Sequence, residues 1–85
     1  MQLDERNMRL IAVGASIAAN CQSCLQANMA KARENGCDEV EIAEAIWVGK
    51  MVRRGAAAEM ETFAASLSQS APPAAGTSEQ GCECK

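Results

Sequence analysis

The stretch LIAVGASIAANCQSC, residues 10–24, decides the reading of this chain. From Leu10 to Ala19 it is apolar or small on almost every side of a helix: Leu10, Ile11, Val13 and Ile17, with Ala12, Gly14, Ala15, Ala18 and Ala19 between them. A helix apolar all round is one covered on all sides. So small a chain cannot cover it alone, and contacts between subunits are the expected cover. The stretch then ends on Cys21-Gln22-Ser23-Cys24, two thiols three residues apart. Asn20 suits an N-cap, which would put Cys21 in the first turn of a second helix.

Working outward, the first helix is expected over about Leu3–Ala19, with Asp4 and Glu5 at its positive end. The second should run to Asn35 and stop at Gly36, a common C-terminal glycine, with Lys31 and Arg33 near its negative end. A third starts at Asp38, which forms a capping-box-like pair with Glu41. It carries one apolar stripe of Ile42, Ala45, Ile46, Gly49 and Val52, and a second of Ala43, Trp47 and Met51. Two stripes indicate one face for the domain's own core and one for a partner subunit. Gly55 is expected to interrupt, and Ala56 to Leu67 reads as a short fourth helix with Met60, Phe63, Ala64 and Leu67 on one side. The expected fold is a small all-α, four-helix domain over residues 1–67, completed by oligomerisation. Residues 68–85 are rich in Ser, Ala, Pro, Gly and Gln, and end in Cys-Glu-Cys-Lys. That composition buries too little apolar surface to order itself, so it reads as a flexible tail.

Composition agrees with the all-α class. Trp47 and Phe63 are the sole aromatics, and Ala, Leu, Ile, Val and Met supply the apolar volume. A core of this size buries only about 60% of its unfolded surface and is marginal as a monomer. The formal charge is −3, and only Arg53-Arg54 sets two cations side by side. Nucleic-acid binding needs a phosphate-facing basic surface and is not expected. The apolar run is too short to span a bilayer, which takes about 20 residues. Acidic Asp4 and Glu5 stand where a signal peptide would be basic, so the expected location is the cytoplasm, with no membrane partner.

Five cysteines, an odd number in a chain read as cytosolic, point to catalysis or metal binding ahead of a disulfide framework. Thiol chemistry runs through the thiolate, which a helix N-terminus stabilises, and the Cys-X-X-Cys spacing brings a second sulfur within reach. Redox work by Cys21 and Cys24 is the leading reading, and half of a zinc site is its competitor. Cys37, beside Gly36, reads as a small semi-buried residue. Cys82 and Cys84 form a Cys-X-Cys unit suited to a soft metal or metalloid, or to exchange with the first pair. A chain of 13 residues, Gln69 to Gly81, separates them from the core. Extended, such a linker spans roughly 43 Å, so contact is sterically allowed.

Leu10-Ile11-Ala12-Val13, the segment Ala19 to Cys24, Ala32 to Gly36, Asp38 to Ile42 and Gly55-Ala56-Ala57 together resemble the carboxymuconolactone decarboxylase family. More narrowly, they resemble its alkylhydroperoxidase D-like branch, which carries a redox cysteine pair. The resemblance covers about Asp4 to Phe63 and does not include the tail. It implies an all-α fold packed into trimers, hexamers or larger rings, and thiol-dependent peroxide reduction or disulfide exchange without a cofactor. It also implies that Cys24 attacks and Cys21 resolves. The branch usually has a histidine four residues after the second cysteine. Asn28 stands there, and the chain has no histidine. The branch's relay glutamate has no counterpart either, since Arg9 lies near where it would fall. Asn28 hydrogen-bonds but takes no proton at neutral pH. General-base help is worth a factor of about 10² to 10⁴, so disulfide exchange is expected ahead of peroxide reduction. The expected donors or acceptors are a partner protein's disulfide, a peroxide, or a lipoyl-type thiol. Two other functions are open on sequence: a soft-metal or metalloid binder using Cys21, Cys24, Cys82 and Cys84, and a non-catalytic assembly subunit.

Overall fold

The computed structural model describes residues 1–68. Among them the chain forms three helices and no strand: α1 over Glu5–Ala18, α2 over Gln22–Glu34 and α3 over Glu39–Leu67. The all-α expectation holds, and the tail with Cys82 and Cys84 lies outside the described residues.

Each helix starts where a side chain satisfies an orphan backbone donor. Asp4 caps α1 by accepting the Asn7 N–H at 2.8 Å. Asp38 caps α3 by accepting the Glu41 N–H at 2.8 Å, and the Asp38 N–H donates to Glu41 at 3.0 Å, closing a capping box. Such a cap is worth about 1 kcal/mol. Glu41 also accepts from the Arg6 guanidinium, which ties the start of α1 to the start of α3.

One expectation fails at Gly55. The anticipated third and fourth helices are a single helix of 29 residues. A glycine inside a helix costs about 1 kcal/mol relative to alanine. Arg53-Arg54 before it and Ala56-Ala57-Ala58 after it are strong helix formers that outweigh this.

α1 lies against both other helices, which touch each other little. The core comprises Val13, Ala32, Cys37 and Ile42, flanked by Leu10, Leu25, Met29, Ala45 and Ile46. α1 and α3 cross closely at Gly14 and Gly49. A Cβ on Gly49 would collide with the Gly14 carbonyl oxygen, and one on Gly14 would meet the Ala45 carbonyl at 3.0 Å. The two stripes of α3 part company as anticipated through Gly49: Ile42, Ala45, Ile46 and Gly49 pack inward, while Trp47 is 58% exposed. Val52, expected in the inner stripe, is exposed, because α3 has run past the end of α1 by that turn. From Met51 to Leu67 every residue is exposed, including Met60 and Phe63.

Candidate functional site

The cysteine pair owes its position to how α1 ends. Ala18 is the last helical residue, and Asn20 takes a left-handed backbone with φ of 59°. The Asn20 N–H donates to the Ile17 carbonyl and the Cys21 N–H to the Ser16 carbonyl, each at 3.0 Å. This is a Schellman closure, with Asn20 in the position more often held by glycine. Asn20 was expected to open α2; it closes α1 instead. Asparagine tolerates the left-handed region because its short polar side chain relieves the steric cost.

Cys21 then serves both helices at once. It completes the closure of α1 and is the N-cap of α2, its Sγ accepting the Cys24 N–H at 3.2 Å. The two sulfurs stand 2.05 Å apart, at bonding distance, with Cα atoms separated by 5.2 Å. Cys24 is exposed and Cys21 only partly so. Ser23 Oγ lies 3.8 Å from Cys21 Sγ.

Asn28 sits one turn further along α2 and is half-buried. Its Nδ2 donates to Ser16 Oγ at 2.9 Å, not to either sulfur among the described residues. Ser16 is 4% exposed and passes its own proton to the Ala12 carbonyl at 2.7 Å. The chain Asn28–Ser16–Ala12 ties α2 to α1 one turn beyond Cys24. Arg9 pairs with Glu5, an i,i+4 contact at 2.7 Å. Cys37 is buried, with its Sγ 3.7 Å from the Arg6 carbonyl. That places it in the core, deeper than the semi-buried position expected.

Along the other side of Cys21 runs an open groove of about 960 Å³, lined by Ile17, Leu25 and, from α3, Lys50, Arg53 and Arg54. Arg53 Nη1 donates to the Ala18 carbonyl at 2.8 Å, closing the negative end of α1. The sequence contained a signal for this groove. Lys50, Arg53 and Arg54 fall at i, i+3 and i+4 on one helical face. What the sequence did not show is that this face of α3 lies alongside Cys21.

Residues 2–68 match the carboxymuconolactone decarboxylase family. The chain belongs to this family. A curated relative, "Uncharacterized protein 4 in cox locus" of Paracoccus denitrificans, is 40% identical over 55 residues, which cover 65% of this chain and 50% of the relative. The chain thus spans about half the length of that relative. No solved structure matches it. Within this carboxymuconolactone decarboxylase family member, the described residues hold no cluster of three or more His, Cys, Asp or Glu placed to bind a metal ion. None of its described helices is long and apolar enough to cross a membrane.

Proposed function

We propose that this protein is a thiol–disulfide oxidoreductase of the alkylhydroperoxidase D-like kind, cycling Cys21 and Cys24 between dithiol and disulfide. The observation that carries the reading is the pair itself: two sulfurs at bonding distance on the first turn of α2, one of them capping that helix. In the forward direction the exposed Cys24 thiolate attacks a partner disulfide and expels one partner thiolate. Cys21 then attacks Cys24 in the mixed disulfide, releasing the second partner thiol and closing the Cys21–Cys24 bond. Two electrons pass to the partner, and the two protons given up by the cysteines are matched by two that the partner's thiolates take up from solvent. The unpaired N–H groups of the α2 terminus lower the cost of forming the thiolate.

Asn28 is a positioning residue in this scheme. Through Ser16 it holds the first turn of α2 in place, and it does not relay a proton. Peroxide reduction, which gains most from a general base, is the slower activity. The protein works as a homo-oligomer in the cytoplasm, with a disulfide-bearing protein or a lipoyl-type thiol as its redox partner. Exposed Ile11 on α1 and the bare apolar face of α3 support the oligomer.

The test is the redox potential of the pair, measured with exchange kinetics on a protein disulfide, in the wild type and in Cys21→Ser and Cys24→Ser. Reversible two-electron cycling in the wild type alone is the expected result. Stoichiometric, tight uptake of Zn(II) or As(III) by the reduced full chain, without disulfide cycling, would overturn the reading in favour of metal binding.

A further inference from the structure

The groove beside Cys21 has a charge that the rest of the molecule does not. The chain is acidic overall, at −3. The charged residues lining the groove are nevertheless all cations: Lys50, Arg53 and Arg54. Arg53 has a structural task at the end of α1. Among the described residues Lys50 and Arg54 have no carboxylate partner, and both are exposed. The unpaired charges of Lys50 and Arg54, with Arg53 beside them on the same wall, raise the local concentration of an anion, and low-dielectric walls such as Ile17 and Leu25 focus that field. The volume suits a small molecule, for which sites run about 300–1,000 Å³. Of the pair, Cys21 is the residue that lines the groove, while Cys24 does not line it and is exposed to solvent.

We propose that this groove admits a small anionic dithiol or thiol, one bearing a carboxylate or phosphate, as the reductant of the Cys21–Cys24 disulfide. The inference rests on the thiol–disulfide reading above and names the substrate class of that site. A substrate thiolate attacks Cys21 Sγ, the Cys21–Cys24 bond breaks, and Cys24 leaves as a thiolate that takes up a proton from solvent. The second substrate thiolate then attacks the substrate sulfur of the mixed disulfide, forming the substrate disulfide and expelling Cys21 as a thiolate. Two electrons enter the protein, and the two protons given up by the substrate thiols are matched by two taken up at Cys21 and Cys24. Electrons thus enter at Cys21 from the groove and leave at Cys24 from the open side.

Dihydrolipoate and dihydrolipoamide provide the test, being the same dithiol with a carboxylate or a neutral amide. Reduction of the oxidised full chain is followed by stopped flow with each reagent, at about 0.01 M and about 1 M salt, where the Debye length is about 30 Å and about 3 Å. At low salt dihydrolipoate should react at least about 10-fold faster, with the preference vanishing at high salt. The double variant Lys50→Glu/Arg54→Glu should lose or reverse the preference for dihydrolipoate over dihydrolipoamide at low salt. The salt comparison needs no variant, so it decides even if the double variant folds poorly. Equal rates for both reagents at low salt would overturn the anionic substrate and leave the exchange reading standing. If neither reagent opens the bond faster than it opens a small linear disulfide, the exchange reading fails and this inference falls with it.

Discussion

The two interhelical turns, at 19–21 and 35–38, are built on one plan. After α2 the Gly36 N–H donates to Arg33 and the Cys37 N–H to Ala32, the same Schellman pattern that Asn20 and Cys21 make after α1. A cysteine follows the left-handed residue in both. In the second turn one more residue, Asp38, comes before the next helix and caps it, so Cys37 is free to turn inward and is 6% exposed. In the first turn that residue is missing. Cys21 has to close one helix and cap the next, which holds its sulfur outside the core and against a backbone N–H. A difference of one residue separates a packing cysteine from one held at a helix terminus in a Cys-X-X-Cys pair.

The largest effect expected from breaking this contrast is kinetic. Cys21→Ser or Cys24→Ser reduces disulfide cycling to the buffer background. Cys37→Ala leaves cycling intact and costs about 1 kcal/mol, as for one buried methyl-sized group. Native-state alkylation of the reduced protein checks both: a Cys37 that reacts as fast as the pair would erase the distinction.

Next come the left-handed residues. Gly36 has φ of +87°. Placing a Cβ there costs about 1–2 kcal/mol, so Gly36→Ala should be clearly destabilised in urea titration. Asn20→Gly should change stability by a few tenths of a kcal/mol at most, because asparagine already accommodates its φ. A large loss in Asn20→Gly would mean that the asparagine side chain has a further task.

The caps give a smaller effect of opposite sign. Asp38→Ala should lose about 1 kcal/mol with cycling unchanged. In the reduced protein, Cys21→Ser should be as stable as wild type or slightly more so, since a hydroxyl caps better than a thiol. Thermal melts of the reduced forms decide this.

The smallest effect is acid sensitivity, confined to the second turn. The Arg6 hydrogen bond, followed by the Asp38 N–H, holds the Glu41 carboxyl below its usual 4.5. The Arg33 hydrogen bond lowers Glu39 in the same way. A depressed folded-state value means that the unfolded chain binds more protons in this range. The stabilisation is therefore fully present above about pH 4.5 and fades as pH falls through the lowered values. Melting temperature against pH should show this small decline in the wild type, and Glu41→Gln should flatten it.

Much of this was legible in the sequence, for local reasons. Asp4, Asp38 with Glu41, and Gly36 mark helix ends by backbone hydrogen-bonding rules that act within a few residues. The Cys21–Cys24 spacing announces itself in the same way. What escaped depends on competition or on distance. Asn20 suits either end of a helix, and the choice turned on whether the Ser16 and Ile17 carbonyls found donors. Gly55 lost to its helix-forming neighbours. Ser16 has no local signal, because its partner Asn28 is twelve residues away in sequence. The cationic wall needs α3 laid beside the end of α1, which no local pattern specifies.

The undivided α3 has a further consequence, for exchange of backbone protons. At 29 residues it is about 43 Å long, roughly twice the length of α1. From Met51 on, its residues are all exposed. An isolated helix of some 15 residues is marginal in water. In a lone subunit, amide deuteration should therefore climb steeply from Gly49 toward Leu67, like a rod fraying from its unsupported end. In the proposed assembly a neighbour clamps that end, so the gradient should flatten as protein concentration rises.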